Sequence, residues 1–67
     1  MQKENEILLA DELARLPEDY QEVIYLRNMQ RLPFKEIAER MNRSQGAVQM
    51  LWLRALKQLQ EQMQHVE

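Results

Sequence analysis

The sequence predicts an all-α fold of four helices that contains a helix-turn-helix and lacks winged strands. Three observations lead there. The chain is rich in helix formers and holds one glycine among 67 residues. Its two prolines, Pro17 and Pro33, fall where helices begin rather than inside an apolar pattern. The stretch from Phe34 to Leu59 carries two apolar stripes of helical period, separated by Asn42-Arg43-Ser44. Residues 1–67 read as a single domain, small enough for its core to be marginal.

The first helix runs from about Glu6 to Arg15. Asn5 caps it, and Glu6, Asp11 and Glu12 suit its positive end. Ile7, Leu8, Leu9, Leu13 and Leu16 are too many for one narrow stripe, so some pack inward and one or two face a partner. Pro17 ends that helix and opens the second, which continues to about Met29 with Glu18 and Asp19 at its start. Tyr20, Val23, Ile24 and Leu26 form its buried side; Tyr25 and Arg27 lie further out. Gln30-Arg31-Leu32 is the connection, with Leu32 plugging the core. Pro33 opens the third helix at the first-turn position, and Phe34, Ile37, Ala38 and Met41 make its apolar face.

Asn42 tolerates the left-handed conformation that ends many helices, and Ser44 is a good N-cap for the fourth. That helix runs from Ser44 to about Gln62. At 100° per residue, Leu51, Trp52, Ala55, Leu59 and Met63 cluster around Val48. Gly46, Met50, Leu53 and Lys57 lie opposite, flanked by Gln49 and Arg54. The Gln-rich end is expected to fray.

Charge divides the chain. Residues 1–30 hold three basic and seven acidic side chains, a net of −4; residues 31–60 hold six basic and two acidic, a net of +4. This asymmetry suits a nucleic-acid face on an acidic body, and equally suits solvated helix faces. The chain has no cysteine, which excludes disulfides and thiolate metal sites. No apolar run approaches the roughly 18 residues of a membrane span, and MQKENE lacks the apolar core of a signal peptide. There is no Gly-rich phosphate loop, metal-spaced His/Cys set or nucleophile–base pair, so catalysis has no support and no cofactor is expected.

A short helix, a three-residue corner and a longer helix form the motif whose second helix enters the DNA major groove. The base-reading candidates are Gln45 and Gln49, since a Gln amide pairs bidentately with adenine N6 and N7. Ser44 and the first free N–H groups of the fourth helix suit a phosphate. Arg43, Arg54 and Lys57 are candidate phosphate clamps, and Arg31 and Lys35 reach the backbone from the start of the third helix. Arg27 touches phosphate or braces the fold.

Each has a plainer reading. Gln45 and Gln49 are also good surface helix formers. Arg40 suits the negative end of its helix. Arg54 has an ion pair with Glu36 or Glu39 as its alternative. Trp52 lies on the inner stripe and is expected in the core rather than as a base-stacking platform. Met50 and Leu53 are apolar on the supposed DNA face; they meet thymine methyl groups or a protein partner. His65 has no neighbouring cluster to make it a ligand.

The residues Leu16-Pro17-Glu18, Val23, Leu26-Arg27, Glu36-Ile37-Ala38, Ser44, Gly46, Val48, Arg54-Ala55 and Leu59 together resemble region 4 of the bacterial sigma-70 family. The nearest pattern is that of its small extracytoplasmic-function group. The likeness spans about Leu8 to Leu59. No single piece is specific, but their order and spacing are. Helix-turn-helix modules of two-component response regulators share parts of it.

The resemblance implies recognition of the promoter −35 element through the fourth helix. It also implies docking on the RNA polymerase β flap through the others, frequent capture by an anti-sigma factor, and a bacterial, cytoplasmic setting. Nothing in the chain resembles region 2, so it is either a domain of a longer sigma factor or a stand-alone region-4-like protein, and the first is expected. There are departures. The loop before the third helix commonly carries a glycine where Gln30-Arg31-Leu32 stands, and Pro33 replaces a common Ser cap. Gln49, Leu51 and Leu56 occupy positions that are often basic, which predicts weak DNA binding in isolation. The competing readings are a protein-interaction bundle with little DNA affinity and the effector domain of a response-regulator-type transcription factor.

Overall fold

The computed structural model describes residues 10–64, and every regular element among them is helical. The order is α1 (residues 10–14), α2 (Glu18–Ile24) continuing into a π-helical turn (Tyr25–Met29), α3 (Phe34–Met41) and α4 (Gln45–Gln64). The expected cap Asn5 and the side chains of Ile7, Leu8, Leu9 and His65 lie outside the described residues.

The inner stripes meet as their periods require. Val23 from α2, Ile37 from α3 and Val48 from α4 are fully buried, one from each helix. Leu16, Ile24, Leu26, Ala38, Leu51 and Ala55 complete the core; Leu32, Trp52 and Leu59 pack around it. Leu32 therefore plugs the core from its loop, as its sequence context suggests. Met63 is 44% exposed, so the inner stripe of α4 stops before it.

Both prolines sit one position outside the first turn, as N-caps in extended backbone. Pro17 has ψ 153° and Pro33 ψ 154°. A proline cap lacks a side-chain acceptor for the free N–H groups of the first turn. In α2, Asp19 Oδ1 accepts the Tyr20 N–H at 2.9 Å. The carbonyl of Pro33 starts the α3 ladder, accepting from Glu36 and Ile37 at 3.0 and 3.1 Å.

The second helix is not uniformly α. Beyond Ile24 its turn widens: the Gln30 N–H donates to the Tyr25 carbonyl at 3.1 Å, and the Leu32 N–H to that of Leu26 at 3.0 Å. A widening of this type changes no residue's hydrophobicity, so periodicity does not reveal it. Arg31 then adopts φ 57°. The left-handed region costs a side-chain-bearing residue roughly 1–2 kcal/mol, and it is where glycine is favoured. Arg31→Gly is expected to raise stability in urea unfolding by about 0.5–1 kcal/mol, after glycine's larger unfolded-state entropy is subtracted. Arg31→Ala removes the same charge without relieving the strain and should change little; equal gains for both would rule out a backbone origin.

The link between the ends of α1 and α4 is absent from the sequence reading. Glu12 is only 4% exposed. Gln62 Nε2 donates to its carbonyl oxygen at 3.0 Å and to its Oε1 at 3.1 Å, across 50 positions. Arg15 approaches the other carboxylate oxygen at 3.8 Å. Gln62 is therefore a tether rather than part of a frayed tail, and α4 runs to Gln64. At the exit of α1, Gln21 Nε2 donates to the carbonyl of Leu16 at 2.7 Å and, more weakly, to that of Ala14 at 3.3 Å.

Candidate nucleic-acid interface

The corner between α3 and α4 is built by local chemistry. Asn42 takes φ 57° and ψ 47°, in the left-handed region. The Arg43 N–H reaches back to the Ala38 carbonyl at 3.0 Å, and the Asn42 N–H to that of Glu39 at 3.3 Å. This pair of bonds is the Schellman arrangement, which satisfies the last carbonyls of α3. Ser44 then opens α4: its Oγ accepts the Ala47 N–H at 3.1 Å and its carbonyl accepts from Val48 at 3.0 Å. The chain turns sharply between two helices, each correctly terminated.

That corner holds α4 with its outer face in solvent. Gln45, Gln49, Met50, Leu53, Arg54 and Lys57 are all exposed, as are Ser44, Arg43, Lys35 and Arg31. Gly46 lies among them, with nothing within 4 Å of the position its Cβ would occupy. Lys35, Glu39, Asn42, Arg43, Ser44 and Gln45 border an open depression of about 400 Å³ at the corner. Lys35, Ser44 and Gln45 thus share one surface, while Gln49, Met50, Leu53, Arg54 and Lys57 continue it along α4. Arg31 stands apart, in the loop ahead of α3.

The basic residues are not equally available. Arg43 NH2 lies 3.4 Å from Asp19 Oδ2 at the start of α2. Both partners are well exposed, so this pair yields readily to a stronger anion. Arg40 pairs with Glu36 at 3.2 Å, one helical turn away. Among the described residues, Arg31, Lys35, Arg54 and Lys57 lie within ion-pair distance of no acid, so the Arg54 pairing with Glu36 or Glu39 does not form.

Arg27 is a brace. Its guanidinium carbon sits 4.3 Å from the centroid of Phe34 and 5.8 Å from that of Trp52, and NH1 donates to the Leu32 carbonyl at 3.0 Å. Phe34 and Trp52 meet edge to face at 5.5 Å. Trp52 is half-buried, and its Nε1 donates to Asn28 Oδ1 at 3.0 Å. The indole is a core element, not a stacking platform. Asn28 and Asp19 escape a sequence reading because each meets its partner 24 positions away.

One expectation needs correcting. Leu51 is 7% exposed, so a basic side chain there would point into the protein, whereas Leu56 is half-buried against the core. Of the three positions taken to lack a phosphate contact, Gln49 is exposed, Leu56 half-buried and Leu51 buried. One of the three reasons for expecting weak binding, the one at Leu51, disappears.

A second surface lies elsewhere. Leu13, Ile24, Tyr25, Met29, Leu56 and Leu59 line an apolar groove of about 330 Å³ between α1, the second helix and the later part of α4. Met29 is 71% exposed and Tyr25 51%.

Among the described residues no three His, Cys, Asp or Glu side chains gather as metal ligands do, and no helix is long and apolar enough to cross a membrane. A family model described as "Sigma-70, region 4" matches residues 6–59 of the 67. No curated protein and no solved structure matches the chain.

Proposed function

The chain belongs to the sigma-70 region 4 family, a transcription-factor region of sigma factors that interacts with DNA and RNA polymerase and is not an enzyme family, and from that premise we propose that it recognises a promoter −35 element. In this reading α4 enters the major groove. Gln45 and Gln49 meet base edges; Ser44, Lys35, Arg43, Arg54, Lys57 and Arg31 hold the phosphates on either side. The observation that carries the reading is the exposed outer face of α4, where Gln45, Gln49, Arg54 and Lys57 stand free, held clear of the protein by the hydrogen-bonded corner before it.

The apolar groove supports a second contact, with the polymerase β flap. A concave apolar strip on another face from the basic one allows flap and duplex to be held together. The same strip suits an anti-sigma factor. The setting is bacterial and cytoplasmic, and the pattern of the chain favours the extracytoplasmic-function group.

The test is a titration of the protein with a −35-like duplex at several salt concentrations. Affinity should fall linearly with salt on a log–log plot, by about 0.9 for each phosphate contacted. Arg54→Ala should weaken binding to all sequences and reduce that slope by about 1, whereas Gln49→Ala should relax preference at one or two base pairs. A protein that sediments identically with and without duplex, with no salt-sensitive binding, would instead be an interaction bundle that uses only the groove.

A further inference from the structure

Met50 and Leu53 are 51% and 54% exposed on the outer face of α4. They stand three positions apart, opposite the buried Val48, Leu51 and Ala55. The core does not use them, and an apolar pair held in water on a polar helix marks a contact surface.

The surroundings select the occupant. Lys35, Arg54 and Lys57 are exposed, and among the described residues none lies at ion-pair distance from an acid. That charge complements a polyanion. Gly46, one turn before Met50, leaves the start of the helix bare, so the backbone there approaches an occupant closely. Leu53 also borders a small recess of about 180 Å³, walled by Phe34, Trp52 and Gln49. The recess therefore sets carbon surface beside one primary amide.

An A·T pair presents a matching set of groups in the major groove. Adenine offers an N6 donor and an N7 acceptor, and its thymine partner offers a C5-methyl group that no other base carries. A Gln amide answers the first two, and a Met or Leu side chain answers the third. Resting on the reading of α4 as the base-contacting helix, we propose that Met50 and Leu53 determine specificity by packing on thymine methyl groups, with Gln49 on the adenine edge. The preferred site of this protein then contains A·T pairs where α4 passes.

The test separates this proposal from the reading beneath it. Duplexes are enriched by the full chain from a randomised pool, and the best is resynthesised with uracil in place of one thymine at a time, which removes only the methyl group. Binding should weaken about fourfold at each thymine read, the equivalent of one buried methylene. The same uracil substitution should cost nothing in Met50→Ala or Leu53→Ala, whichever side chain covers that methyl. Both residues are exposed, so neither change threatens the fold. Equal affinity for thymine and uracil at every position would overturn the proposal and leave DNA recognition standing. So would Met50→Ala and Leu53→Ala variants that keep their uracil sensitivity but lose binding to the polymerase flap, because the surface would then belong to a protein. If no duplex is enriched, the underlying reading and this proposal fall together.

Discussion

Ile37→Ala is expected to lose the cooperative thermal transition and DNA binding together. Ile37 is fully buried, and so are Val23 and Val48. The three come from α3, α2 and α4, so the cavity would open where all three helices converge. Truncating a buried isoleucine to alanine costs about 3–4 kcal/mol when the site cannot collapse. A domain below about 70 residues rarely holds more than 3–5 kcal/mol in total. The loss is comparable to the whole, and a large share of the molecules should be unfolded at 25 °C. Ile37→Val removes one methyl group, costs about 1 kcal/mol, and should keep both transition and binding. The measurement is circular dichroism melting alongside duplex titration. A melting temperature for Ile37→Ala within a few degrees of the parent's would mean that the three helices do not share one core.

The core was readable because helical burial repeats. Val23, Ile37, Val48 and Ala55 all lie where a 3.6-residue period places them, and all are buried. The corner was readable because its chemistry is local: Asn42 and Ser44 act on backbone groups within five positions of themselves. What escaped was everything that two distant segments create together. Glu12 resembles an ordinary helix-start acid, and Gln62 an ordinary tail residue. Only the packing of α1 against the far end of α4 makes them a hydrogen-bonded pair. Asp19 resembles a dipole partner until the fold brings Arg43 to it. Leu51 shows the converse error. Carrying a basic position over from the family treated it as surface, although Leu51 already lies on the inner stripe with Val48 and Ala55. The candidate DNA face was legible as a face, because Gly46, Met50, Leu53 and Lys57 lie opposite the core stripe. Which of its cations are already engaged was not.

Arg27 is where these two kinds of information meet, and its replacement should have the second largest effect. The sequence leaves it between phosphate clamp and brace; the structure places its guanidinium against Phe34 and Trp52 and hydrogen-bonds it to the Leu32 carbonyl. One side chain thus ties the loop after the widened turn to the first residue of α3 and to the middle of α4. A guanidinium stacked on an aromatic face contributes about 0.5–2 kcal/mol, and a charged hydrogen bond to a carbonyl about 1.5–3 kcal/mol. With the group half-exposed, Arg27→Ala is expected to cost about 2 kcal/mol in urea unfolding. Arg27→Lys discriminates between the roles. Lysine keeps the charge but loses the planar surface and the fixed fork, so a brace would lose most of its stabilisation, whereas a phosphate clamp would keep most of its DNA affinity. The expected result is a substantial loss of stability in both variants, with the salt slope of duplex binding unchanged wherever the protein is folded. A slope smaller by about 1 in Arg27→Ala, with unfolding unaltered, would move Arg27 from the scaffold to the phosphates. Its stack on Phe34 and Trp52 would then have no part in setting the angle at which α3 presents α4.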